Sequence, residues 1–193
     1  MLTGVFGGSF DPVHIGHYHM VEYLVERRVF DRLLLLVSPL NPLKVKAPPM
    51  FTDAERLAMT REAMSRFSEV EVSDFERTLP IPSYTYRTLT ALAEAYPGRR
   101  FRLITGADNL RDFRKWRNPG EILREFGLTV YPRPGVEIES GFITALEEEY
   151  GAPDSVSYLA DAPLSDVSST RIRAMLSRGE NPAPLLPPGV SLR

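Results

Sequence analysis

The sequence predicts an α/β protein built on a doubly wound parallel sheet. Short apolar runs alternate with segments of helical periodicity five or so times, which within one sheet implies right-handed crossovers. Residues 33–37 are apolar throughout, the composition of a strand covered on both faces. The residues suited to ligand chemistry fall just after predicted strands, and ligands in such sheets bind outside the carboxyl ends of the strands.

Residues 2–6 form the first predicted strand. Met20, Val21, Leu24 and Val25 recur at helical spacing after it, so residues 7–17 make a strand-to-helix crossing. The second strand, 33–37, ends in a loop punctuated by Pro39, Pro42, Pro48 and Pro49. Thr52 and Glu55 then form a capping-box pattern for a helix with a modest apolar face of Leu57, Ala58 and Met64. A short strand is expected at 70–72, an irregular stretch runs through Pro80 and Pro82, and Leu89 and Leu92 mark a helix over 85–95. Residues 101–104 return as a strand that leads into Gly106. Asn118-Pro119-Gly120-Glu121 starts another helix, with a cap, a first-position proline and an acid at the third position. Residues 128–131 are the next strand, stopped by Pro132 and Pro134. Beyond Gly135 the pattern weakens to a helix over 140–150, a strand over 156–159, and a final helix capped by Ser168 or Ser169 and ending near Gly179. Four prolines among residues 181–193 predict an extended C-terminal tail on a domain of residues 1–180.

At 193 residues, 43% hydrophobic and 25% charged, the chain is long enough to bury a core as one domain. A net charge of -2 gives no electrostatic case for nucleic acid as the main partner, although a local basic pocket stays open. With no cysteine, disulfides, thiolate catalysis and cysteine-bound zinc are excluded, and three histidines in all argue against a dedicated transition-metal site. No signal peptide precedes the first strand, and the longest unbroken apolar run is far too short to span a bilayer. The expected location is therefore cytoplasmic, without a membrane partner.

The stretch Gly7-Gly8-Ser9-Phe10-Asp11-Pro12-Val13-His14-Ile15-Gly16-His17 reads as a phosphate site. A loop that meets a helix N-terminus presents free backbone N–H groups and the positive end of the helix dipole to an anion. Two glycines admit a ligand close to the backbone. His14 and His17 are three apart, so their rings point to one side if the first helical turn begins between them. Neither of the commoner nucleotide loops fits, because the G-x-G-x-x-G spacing and the P-loop lysine are both missing.

Further clusters follow the other strands. Lys44 is placed to reach a phosphate bound over the first loop, the bland alternative being a solvated loop lysine. Pro82-Ser83-Tyr84-Thr85 opens a helix; Ser83 or Thr85 serves as its cap, and the same helix start can bind a carboxylate. Gly106-Ala107-Asp108-Asn109 follows a strand. Trp116, the only tryptophan, is flanked by Arg114, Lys115 and Arg117, which argues for a partly exposed ring able to stack on a base. Ser168-Ser169-Thr170-Arg171-Ile172-Arg173 sets hydroxyls, N–H groups and two cations at one helix start. That is more than a cap needs, and it reads as a second anion site. Arg133 sits between two prolines, and its position alone assigns it no role.

The string at 7–17 resembles the H-x-G-H signature of the nucleotidyltransferase superfamily, shared with class I aminoacyl-tRNA synthetases. It is followed in order by Pro42-Leu43-Lys44, Pro82-Ser83-Tyr84-Thr85, Gly106-Ala107-Asp108, Trp116, Pro132-Arg133-Pro134-Gly135 and the 168–173 cluster. With these, nearly the whole chain resembles the bacterial nicotinate-nucleotide adenylyltransferases. The resemblance implies a Rossmann-like fold and transfer of AMP from ATP to nicotinic acid mononucleotide, giving deamido-NAD and pyrophosphate. It implies Gly7, Gly8, Ser9, Phe10, His14 and His17 around the ATP phosphates, with Ser168, Ser169, Thr170 and Arg173 closing over the triphosphate. Gly106 and Asp108 would lie at the junction of adenosine and substrate. His14, His17, Lys44 and Arg173 would form the catalytic set, Lys44 holding the mononucleotide phosphate. Ser83, Tyr84, Thr85 and neighbouring backbone would meet the nicotinate carboxylate, Trp116 would stack on the pyridine ring, and Arg133 would lie on the substrate side. Mg2+ would arrive with ATP, since it keeps several waters and needs few protein ligands. Leu43 stands where many members have histidine. Alternatives at this point are adenylylation of nicotinamide mononucleotide or of phosphopantetheine, and a non-catalytic nucleotide-binding module. A tRNA-aminoacylating role is disfavoured, as no anticodon-binding extension and no excess positive charge are present.

Overall fold

In the computed structural model, which describes residues 1–39 and 49–192, six parallel strands form one sheet in the order β3-β2-β1-β4-β5-β6. The strands are β1 (Leu2–Gly8), β2 (Arg32–Val37), β3 (Val70–Ser73), β4 (Arg100–Gly106), β5 (Leu128–Tyr131) and β6 (Val156–Tyr158). The helices are α1 (Ile15–Glu26), α2 (Asp53–Met64), α3 (Thr85–Ala95), α4 (Ala107–Arg111), α5 (Pro119–Glu125), α6 (Phe142–Tyr150) and α7 (Ser169–Ser177). This is the doubly wound α/β architecture expected from the alternating periodicities. Strand order reverses between β1 and β4, so a crevice opens where the carboxyl ends of those strands part.

The apolar run in β2 is divided between two cores. Leu33, Leu35 and Val37 pack with α1 and α2 on one face, together with Tyr18, Val21, Leu24 and Met64. Leu34 and Leu36 pack on the other face with Leu89, Leu92, Leu103 and Ile122. Successive strand side chains point to opposite faces, so an all-apolar strand is what a sheet covered on both sides requires. The Thr52–Glu55 capping box at α2 forms as predicted: Thr52 Oγ1 accepts from the Glu55 amide and Glu55 Oε2 accepts from the Thr52 amide.

Several local expectations change. Gly7 and Gly8 pair in register with Leu36 and Val37, so they end β1 instead of forming the loop, which runs from Ser9 to His14. Asn118 precedes α5 but makes no side-chain cap bond, because its backbone is left-handed at φ 56°, a conformation asparagine tolerates better than most residues. α4 and the 3₁₀ turns at Phe75–Thr78 and Phe113–Lys115 escaped notice because one or two turns are too short to show periodicity. The C-terminal residues, expected to be extended, instead form a 3₁₀ turn at Ala183–Leu185. They also bury Leu186 against Val167 and Ile172, and Val190 against the α1 side of the core. No helix among the described residues is long and apolar enough to cross a membrane.

Candidate active site

The first crossover begins α1 between the two histidines. His14 is the N-cap in extended conformation, and His17, in the first turn, accepts the His14 backbone N–H on Nδ1 at 3.3 Å. That bond puts the His17 proton on Nε2. The two rings stack at 3.7 Å between centroids and 25° between planes, and Phe10 packs its ring edge-on to His17 at 4.9 Å. Gly16 makes this close approach possible. A Cβ there would lie 2.7 Å from Ser165 Oγ, nearer than side chains come, and 3.1 Å from the His14 ring, a tight contact.

His14 is buried, and its pKa falls from the ordinary 6.5 to about 4, first through burial and then through the positive charge of Arg133. The imidazole is therefore neutral near pH 7. Below pH 6.5 the unfolded chain takes up a proton at this residue that the folded chain refuses until about pH 4, so its contribution to stability is complete above 6.5 and is lost as pH falls. The loss approaches about 3 kcal/mol by pH 4. Urea unfolding at pH 7.5 and pH 4.5 is expected to show a smaller acid loss for His14→Gln than for the unaltered chain. Equal losses would contradict the buried neutral ring.

The second predicted anion site packs directly on the first. Ser169 Oγ donates to the Pro12 carbonyl at 2.9 Å, across 157 positions of sequence. Arg173 Nη1 donates to the Asp11 carbonyl at 2.6 Å and faces the Asp11 carboxylate at 3.5 Å. Two helix N-termini, of α1 and α7, thus share one loop. The three hydroxyls at the start of α7 nonetheless have structural partners. Ser168 caps the helix by accepting from the Arg171 amide, Ser169 braces the loop, and Thr170 accepts from Arg173 Nη2 at 3.2 Å. One hydroxyl suffices as the cap, and the Ser169 hydroxyl is spent on the Pro12 carbonyl. First-turn amides and the guanidinium remain suited to an anion.

Two buried charges hold the loop from beneath. Asp11 accepts from the amides of Met50 and Phe51, both at 3.0 Å. Arg56 is fully buried, donates to the carbonyls of Ser9 and Ser38, and pairs with Asp53. On the carboxyl side of β4 and β5, Arg133 Nε lies 3.6 Å from Asp108 Oδ1. Both crowd Gly106, where a Cβ would lie 2.3 Å from Asp108 Oδ1 and 2.9 Å from Arg133 Nε.

A cleft of about 270 Å³ opens beside this loop, lined among others by Gly8, Ser9, Tyr84, Thr85 and Trp116. Trp116 is half-buried and packs on Phe113 at 5.4 Å, as its charged neighbours implied. The start of α3 differs from expectation: its N-cap is Tyr84, which makes no side-chain cap bond, so neither Ser83 nor Thr85 caps it. The first-turn amides are left without a cap acceptor. Arg117 covers the Tyr84 ring at 4.6 Å.

The family described as cytidylyltransferase-like matches residues 5–175. A Bacteroides fragilis protein named "probable nicotinate-nucleotide adenylyltransferase" is 39% identical, over 99% of this chain and 90% of that protein. A Flavobacterium johnsoniae protein of the same name is 37% identical, over 98% and 94%. This chain belongs to the nicotinate-nucleotide adenylyltransferase family. Among solved structures, the Plasmodium falciparum nicotinic acid mononucleotide adenylyltransferase complexed with NaAD matches the fold with a TM-score of 0.78. It is 17% identical and covers 97% of this chain and 91% of its own. The same enzyme complexed with APC gives 0.76 at 16% identity.

In this adenylyltransferase family member the structure gathers most of the residues singled out from sequence. His14, His17, Ser168, Ser169, Thr170 and Arg173 meet over one loop, while Ser83, Tyr84, Thr85 and Trp116 line the adjoining cleft. Lys44 and Leu43 lie outside the described residues. Sequence reasoning passed over Arg56 and Glu76, both buried and both charged. Helical periodicity assigns charged positions to solvent, so only a buried partner could have drawn attention to them.

Proposed function

We propose that this chain transfers AMP from ATP to nicotinic acid mononucleotide, giving deamido-NAD and pyrophosphate. The observation that carries the proposal is the sharing of loop 9–14 by two helix N-termini, beside a cleft that reaches a third at Thr85. Three places suited to anions adjoin one another, and the two substrates bring a triphosphate, a monophosphate and a carboxylate. The names of the curated relatives support the same reading.

In this proposal the ATP phosphates lie over Gly8, Ser9 and Phe10, between His14 and His17 on one side and Thr170 and Arg173 on the other. Gly106, Asp108 and Arg133 meet the adenosine and substrate junction. The pyridine ring stacks on Trp116, its carboxylate on the first-turn amides of α3, and Lys44 takes the mononucleotide phosphate. The attacking phosphate is mostly dianionic near neutrality, with a second pKa of about 6. Its oxygen forms a bond to the α-phosphorus while the bond to the β-phosphate bridging oxygen breaks, and pyrophosphate leaves with the electron pair. No strong base is needed, so holding two anions in line and neutralising the departing charge dominate the rate. A neutral His14 contributes a hydrogen bond without a full charge.

The donor set fits a cation carried in by ATP. Asp11, the carboxylate nearest the loop, is occupied by two amides and Arg173, so the phosphates would supply most of the ligands. When bound, Mg2+ would neutralise charge developing on pyrophosphate. The ATP requirement and a net charge of -2 support a cytoplasmic enzyme acting on small nucleotides. With Mg-ATP, kcat/KM for the acid mononucleotide is expected to exceed that for the amide by at least about tenfold, one mispaired donor being worth about 1–3 kcal/mol. Preference for the amide would overturn the substrate and leave AMP transfer standing.

A further inference from the structure

After β6 the chain leaves the sheet at Leu159, whose amide still bonds to the Val130 carbonyl, and next joins regular structure at Ser168, the cap of α7. Among the described residues, the hydrogen bonds of 160–167 stay within the segment or run to Arg171 of α7, with one exception. Tyr131 Oη donates to the Pro163 carbonyl at 2.6 Å, across 32 positions of sequence. Tyr131 ends β5, and its ring is 5% exposed and packed in the α1 side of the core, edge-on to Tyr23. Burial pushes its pKa up to about 12, so the hydroxyl keeps the donated proton near neutrality. Two residues beyond Pro163, Ser165 lies against Gly16 between the two histidines, and Val167 is buried with Ile172 of α7.

We infer that Tyr131 is a positioning residue for AMP transfer: by holding Pro163 it orders the segment 160–167 and thereby sets the start of α7 against loop 9–14. The inference rests on the proposed placing of the ATP phosphates between the histidines and Thr170 and Arg173. A segment without regular pairing regains backbone freedom once its tether is cut. Binding that needs the segment ordered must then supply that ordering, and affinity falls. The bonds from Ser169 to Pro12 and from Arg173 to Asp11 lie in the site itself, whereas the Tyr131 hydroxyl is bonded behind it.

Tyr131→Phe removes one oxygen and keeps the ring in the core. The experiment measures kcat/KM for ATP, KM for the mononucleotide at saturating Mg-ATP, the melting temperature and the rate of chymotrypsin cleavage after Leu164, which is 61% exposed. In the variant, kcat/KM for ATP is expected to fall about five- to tenfold, the scale of one buried hydrogen bond. KM for the mononucleotide should stay within about twofold, because its proposed cleft is built from other segments. Cleavage after Leu164 should quicken at least about fivefold as the segment loosens. A lower melting temperature with kcat/KM for ATP unchanged marks Tyr131 as structural and overturns the inference. So does an equal loss on both substrates, or a loss on ATP without faster cleavage. Should Tyr131→Phe not fold, the unaltered chain decides: cleavage after Leu164 as fast as in a free peptide of residues 159–168 overturns the tether, and strong protection upholds it. If the unaltered chain transfers no AMP, the functional reading falls and takes the inference with it. Transfer that Tyr131→Phe leaves untouched sinks the inference alone.

Discussion

Replacing His17 with alanine is expected to lower kcat for AMP transfer at least about 100-fold, the cost of one preorganised donor aimed at developing charge. His17 is held for that purpose from three directions: its Nδ1 takes the His14 amide, its ring stacks on His14, and Phe10 packs against it. The fold depends on it much less. The change removes one N-terminal bond of α1, worth about 1 kcal/mol, so the melting temperature should fall by only a few degrees. The loss should appear in kcat more than in KM for either substrate, since charge stabilisation on the departing pyrophosphate matters most in the transition state. Turnover within about threefold of the unaltered chain, with the fold intact, would remove His17 from the chemistry.

Arg56→Leu is expected to act in the opposite proportion, mainly on stability. The guanidinium is buried between the carbonyls of Ser9 and Ser38, where β1 and β2 deliver their chains to the site. A leucine fills much of the space but takes this donor from both part-buried carbonyls and leaves Asp53 with Arg77 alone, 4.0 Å away. At about 1–3 kcal/mol for each orphaned acceptor, the predicted loss is roughly 2–5 kcal/mol. Urea denaturation should show a lower midpoint with an unchanged slope. A midpoint equal to that of the unaltered chain would mean that the buried charge offsets its own desolvation and holds nothing.

These two residues mark the limits of what the chain reveals in one dimension. His17 could be found because its spacing from His14 and its place after a strand are local properties, visible in eleven consecutive residues. Arg56 lies on the charged-looking helix after Thr52, where nothing nearby distinguishes it from a solvated arginine. Its partners at Ser9 and Ser38 are 47 and 18 positions away. Glu76 is similar: its neighbour Thr88 is twelve residues on, across a turn too short to be anticipated. The α7 hydroxyls show a third situation, in which residue types drew attention to the helix start but could not show that Ser169 meets a carbonyl 157 positions away.

The sequence by itself determined the α/β class, the two-sided burial of β2, the start of α1 between two histidines and the capping box of α2. Each is set by periodicity or by hydrogen bonds within a few residues. Only the tertiary structure decided that the start of α7 rests on the first loop, that Arg56 braces the ends of β1 and β2, and that the cleft beside Trp116 has a carboxylate in its floor. Those outcomes depend on which strands become neighbours and on buried polar pairs between distant segments, and the strength of such pairs comes from the exclusion of water that packing alone creates.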